Sequence, residues 1–121
     1  MRSTILGFIL VLACVGTATA DGRAKAEFGR AFDGLGRLEV HDLRCNGSDG
    51  QEVIRLTKIQ MMAKMEAISQ RALELADIWY EFGKLHQVRD WQDRECGAEV
   101  PTLEEIKAHF EDAVSYRNAG L

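Results

Sequence analysis

The residues with the most chemistry to offer are two thiols, Cys45 and Cys96, and a third, Cys14, near the start. Neither Cys45 nor Cys96 sits in a CxxC or CxxxH cluster, which weakens the alternative of a metal pair. In an exported domain of this size two such cysteines predict a disulfide. By the chain-entropy argument, that bridge contributes roughly 4 kcal/mol, a large share of a small domain's stability. Met61, Met62 and Met65, with His41, His86 and His109, raise a second chemistry, because thioethers suit Cu(I). Met61 and Met65 also continue an apolar helical stripe, so core filling is the favoured reading and no metal site is assigned. His86 with Asp90, and His109 with Glu105 or Asp112, lie within helical reach of each other, as ordinary surface pairs do.

Hydrolytic and nucleotide chemistry find little support. There is no GxSxG and no HExxH, and the glycines of residues 29–36 (GRAFDGLG) lack the strand-to-helix setting of a phosphate loop. Glu104 and Glu105 are paired carboxylates, but helix capping accounts for them. The expectation is a protein that is not an enzyme and carries no cofactor. The aromatic residues point instead to protein contacts. Trp79 and Phe82 belong to the apolar stripe, Tyr80 lies to its side, and Trp91 stands among Arg89, Asp90, Gln92 and Asp93. Tyr80 and Trp91 are therefore the candidate protein-binding residues.

Residues 1–20 read as a secretory signal peptide: Arg2, an apolar run, then Ala18-Thr19-Ala20 before the first acid, Asp21. The run is too short to span a bilayer, which takes about 20 residues. A rival reading takes Val11-Leu12-Ala13-Cys14 as a lipobox, with Cys14 as a lipid anchor at the envelope. The first reading makes the product periplasmic or secreted and the second makes it envelope-anchored; either way it is exported, and residues 21–121 are expected to form a single domain. The whole chain carries a net charge of −4, and losing Arg2 deepens it. With no Lys/Arg cluster, nucleic acid is not an expected partner.

These residues must be positioned by a stretch from Glu52 to Glu95 that has no proline and one glycine, Gly83. Met61, Met65, Ile68, Ala72, Leu75, Trp79, Phe82 and His86 alternate steps of four and three, which puts them on one helical face. Leu56, Ile59, Ala63, Leu73, Ala76 and Tyr80 widen that stripe. An unbroken helix here would be about 65 Å long. Bridged cysteines need Cα atoms within about 7 Å. A straight rod therefore conflicts with an internal disulfide, so the expectation is a helical hairpin, with an intermolecular bond as the alternative. Gly83 is the favoured break and Ile68-Ser69-Gln70 the second.

Before this stretch, residues 24–33 read as a short helix fraying into a glycine-rich connector, since each helical glycine costs about 1 kcal/mol. Leu38 to Leu43 alternates briefly, as a strand would. Residues 46–50 (NGSDG) spell a turn, and also a glycosylation sequon at Asn46. After Cys96 a connector leads to Thr102-Leu103-Glu104-Glu105, a capping box. The helix that follows buries Leu103, Ile106, Phe110, Ala113 and Val114, and ends near Arg117.

The fold class expected is all-α: a small bundle of three to five helices with one disulfide, a central helical hairpin and a C-terminal amphipathic helix. An exported leader, a cysteine near a turn, about fifty helical residues, a second cysteine, a loop and a final helix make a recognisable layout. It resembles two groups of small periplasmic proteins, the acid-stress chaperones of the HdeA type and the type VI secretion immunity proteins. The nearest local likeness is residues 96–106 (CGAEVPTLEEI). The extra cysteine and the Gly-Tyr-Ile-like run of the immunity group are missing, and no functional residue carries over. The resemblance implies an exported protein-binding module, acting as inhibitor, immunity protein or chaperone through a helical face. The second reading is a structural or envelope-tethered protein that oligomerises through its long apolar stripe. The third is a periplasmic copper carrier.

Overall fold

The computed structural model describes residues 2–47, 49–90, 96 and 100–119, with side chains for 22–47, 49–89, 96 and 100–118. Among them are four helices and no strand: α1 (Arg2–Cys45), α2 (Gln51–Ile68), α3 (Gln70–Asp90) and α4 (Leu103–Ala119). None of these is long and apolar enough to cross a membrane.

The central element is α1, not the 52–95 stretch, and this is the main correction to the sequence reading. Residues 21–43 are helical throughout, with neither a glycine connector after residue 33 nor a strand at 38–43. Phe28, Ala31, Phe32 and Leu35 of α1 are buried in one core with Met61 and Met65 of α2, Ala76 and Tyr80 of α3, and Ile106 and Phe110 of α4. Phe110 takes both α1 rings edge-on, with centroids 5.5 Å from Phe28 and 5.9 Å from Phe32. Such T-shaped pairs add about 1 kcal/mol each to the area they bury.

Tight packing explains why α1 survives its glycines. A Cβ on Gly36 would lie 2.2 Å from the Tyr80 carbonyl oxygen, and one on Gly83 would lie 2.0 Å from the Asp33 carbonyl oxygen. The α1 and α3 backbones touch at these two positions, where only hydrogen fits. The local propensity cost is offset by close contact along the seam. Gly83, favoured as the helix break, is instead an interior residue of α3.

The break falls at Ser69, which is extended (φ −174°, ψ 162°) between α2 and α3. Its amide donates to the Met65 carbonyl at 3.2 Å and closes α2, and its Oγ accepts from the Ala72 amide at 3.0 Å and opens α3. One serine thus ends one helix and caps the next. The two helices run back along each other: Lys58 and Tyr80, equidistant from Ser69 along the chain, meet with Lys58 Nζ 3.7 Å above the ring. The expected hairpin is present.

Cys45 and Cys96 form the disulfide within this chain, with Cα atoms 5.6 Å apart. The predicted turn follows Cys45, with Gly47 at φ 69°, a value that favours glycine. Buried Asp42 braces it, accepting from Asn46 Nδ2 at 2.9 Å and Gln51 Nε2 at 3.1 Å. At α4 the Thr102 hydroxyl accepts from the Glu105 amide at 3.1 Å, as its capping sequence predicts.

Candidate functional site

The hairpin turns two apolar stripes outward. On α3, Ile78, Phe82 and Leu85 follow helical steps of four and three and are about half exposed, Leu85 the most at 62 %. On α2, Val53, Leu56 and Ile59 are exposed to a similar degree. The sequence reading placed Leu56, Ile59 and Phe82 on the core side. The extended residue at Ser69 ends the helical rhythm, so positions in phase along one continuous helix fall out of phase across the corner. Phe82 stacks on His86, ring centroids 6.1 Å apart, and stays 51 % exposed.

The inner face of α3 is built from different residues. Ala76, Tyr80, Gly83 and Gln87 are buried, and Tyr80 is only 2 % exposed. This corrects the assignment of Tyr80 as a protein-contact residue. Its ring fills the core and carries Lys58 and Lys84 over its faces, Lys84 Nζ at 5.4 Å. It leaves no surface for a partner. Trp91 lies outside the described residues.

The histidines tie helices together. His86 Nδ1 bonds to Asp33 Oδ1 on α1 at 3.0 Å, while Arg37 Nε donates to Asp33 Oδ2 at 2.9 Å; the Asp90 side chain, its expected partner, lies outside the described residues. His109 Nδ1 on α4 meets Glu27 Oε2 on α1 at 2.6 Å, and Arg30 pairs with the same carboxylate. The hydrogen bond from His109 holds the Glu27 carboxyl below the usual carboxylate range against an opposing push from burial, and Arg30 adds a smaller lowering. His41 Nε2 lies 3.1 Å from the Cys96 carbonyl oxygen, beside the disulfide.

The three histidines thus have three separate partners, and Met61 and Met65 are packed in the core at 4 % and 2 % exposure. Among the described residues no three His, Cys, Asp or Glu side chains gather as a metal would require. What the fold does bring together is Cys45 with Cys96. Glu27 and Asp33, the anchors on α1, escaped the sequence reading because their partners lie on other helices. The glycines around them also hid the helical register that aligns them. At the opposite end of the bundle from the disulfide, α1, the α2–α3 corner and Arg117 of α4 border an open cavity of about 530 Å³.

No family model, no curated protein and no solved structure matches this chain.

Proposed function

We propose that this chain is a small exported protein-binding module, of the inhibitor, immunity or chaperone kind, whose contact surface is the outer face of α3. The observation that carries this reading is the row Ile78, Phe82 and Leu85, bulky residues about half exposed on a helix whose inner face is already fully packed. Large apolar side chains left in water at helical spacing are what a helix-face interface presents to its partner. The Cys45–Cys96 bridge suits an oxidising compartment, as the leader read in residues 1–20 would provide.

A second reading rests on the matching row on α2, Val53, Leu56 and Ile59. With two outward stripes the chain has enough apolar surface to associate with copies of itself, as a structural or envelope-tethered protein would.

The test places a photo-crosslinking residue at Ala63 or Asp77 and compares the chain with its Phe82→Glu/Leu85→Glu variant. A stoichiometric heterologous adduct that disappears in the variant supports the module. Concentration-dependent self-association by sedimentation, abolished by the same variant, supports the second reading. A monomer that yields neither overturns both. Intact mass of the exported product adds the processing: a start at Asp21 fits a secreted or periplasmic protein, and a lipid on Cys14 an anchored one.

A further inference from the structure

The cavity at the α2–α3 corner has a composition of its own. Its walls are hydrocarbon and aromatic: Phe28 from α1, Met65 and Ile68 from α2, Leu75 and Trp79 from α3. Its polar lining consists of Lys25 on α1, Arg71 on α3, Arg117 on α4 and the Ser69 hydroxyl. No carboxylate lines it among the described residues, although the chain as a whole is acidic. None of the three cations is in an ion pair among the described residues, whereas Arg30, Arg37, Arg55 and Lys84 each pair with an acid. The first turn of α3 also has no acid, so the positive end of its dipole is uncompensated there.

From this lining we infer a ligand site for a single-chain fatty carboxylate, with its hydrocarbon along the half-buried Ile68, Ala72, Leu75 and Trp79, over a floor of Phe28 and Met65, and its head group among Lys25, Arg71 and Arg117. The volume lies within the range of small-molecule sites, about 300–1,000 Å³. The polar groups at the rim decide the head. Lys and Arg only donate, and the Ser69 oxygen already accepts the Ala72 amide, leaving its hydroxyl proton to give. An acceptor-only head satisfies all of them, and guanidinium matches carboxylate geometry in particular. The walls decide the body. At Phe28 of α1 and at Leu75 and Trp79 of α3 they are helix interior, whose backbone amides and carbonyls are spent on internal hydrogen bonds. A peptide laid there would leave its own backbone unpaired, at a cost an alkyl chain does not incur. The site lies at the N-terminal end of α3, uses none of Ile78, Phe82 and Leu85, and does not rest on the protein-binding reading.

The test uses the full chain with Trp91→Phe, which leaves Trp79 as the only tryptophan of the two in the sequence. Tetradecanoate below its micelle concentration is titrated while Trp79 emission is followed, with calorimetry as a second readout of the same binding. The expected result is saturable one-to-one binding, with tetradecanol (same length, no charge) weaker by roughly tenfold. Lys25→Glu/Arg71→Glu, at two exposed positions, should weaken tetradecanoate by a similar factor and leave tetradecanol unchanged. Ala72→Phe, which fills the cavity, should remove binding of both, with far-UV circular dichroism confirming that each variant is folded. No saturable binding by either readout overturns the site. Equal affinity for acid and alcohol, or indifference to the charge reversal, overturns the carboxylate assignment.

Discussion

The two faces of α3 invert the usual expectation for an amphipathic helix. The face turned to the core presents Ala76, Tyr80, Gly83 and Gln87, and the face turned to water presents Ile78, Phe82 and Leu85. Closeness of the neighbouring backbone, more than polarity, separates them. The inner face must let two backbones touch, and at Gly83 and Gly36 there is no room for a methyl group. A leucine or isoleucine there would hold α1 away from the aromatic core around Phe110. Tyr80 is the bulky exception on the inner face, its ring filling the core, while Ile78, Phe82 and Leu85 stand where nothing described in this chain buries them. Burial along this seam therefore follows the distance between helices, and the row Ile78, Phe82 and Leu85 is left exposed.

That contrast can be broken most forcefully at the end of the inner seam. Replacing Cys45 and Cys96 by serine should cost roughly 4 kcal/mol, read as a lower denaturation midpoint that matches the reduced parent chain. An unchanged midpoint would mean that packing alone holds the end of α1. Within the seam, Gly83→Ala or Gly36→Ala should cost about 3 kcal/mol or more, because the new methyl would meet backbone that cannot rotate away. Gly29→Ala is the internal control. Its Cβ would sit 3.6 Å from the Trp79 ring, an ordinary contact, so helix propensity should make it neutral to stabilising by up to about 1 kcal/mol. If all three glycine variants behave alike, the seam is not where the helices are closest.

A smaller effect is expected where α4 joins α1. The Glu27 carboxyl, lowered by His109 and Arg30, stabilises the fold most fully above its unfolded value of 4.5. That contribution is lost as pH falls below 4.5 and through the lower folded value. Glu27→Gln should remove about 1 kcal/mol near neutral pH and flatten the acid limb of the stability curve. An acid limb as steep as the parent's would exclude Glu27 as a source. The smallest effect on stability belongs to the outer face. Phe82→Glu/Leu85→Glu should shift unfolding by no more than about 0.5 kcal/mol per site while abolishing the association assigned to that face. A loss of several kcal/mol would show that these side chains support the fold after all.

Much of the architecture was legible because local chemistry announced it. Thr102 with Glu105 marked the start of α4, residues 46–50 marked a turn, and two thiols too far apart for a rod demanded a hairpin. Other features read wrongly for one reason. A glycine carries the same penalty whether or not a partner helix covers it, so α1 looked like a connector and Gly83 like a break. Tyr80 looked available because its neighbours along one helix do not reveal that α1 and α2 both close over it. Lys25, Arg71 and Arg117 stood apart in the chain, and nothing local foretold that three helices would gather them at one cavity.

By itself, then, the order of residues determined the all-helical class, Cys45 and Cys96 as the bridging thiols, the turn at residues 46–50 and the Thr102 cap of α4. These follow from interactions within a few residues, or from a reach that one bond limits. Which helix became central, which face of α3 was left bare and which cations met at the corner were decided only on assembly. Those outcomes depend on how near two backbones can come, and that distance belongs to the pair of helices and to neither strand of sequence alone.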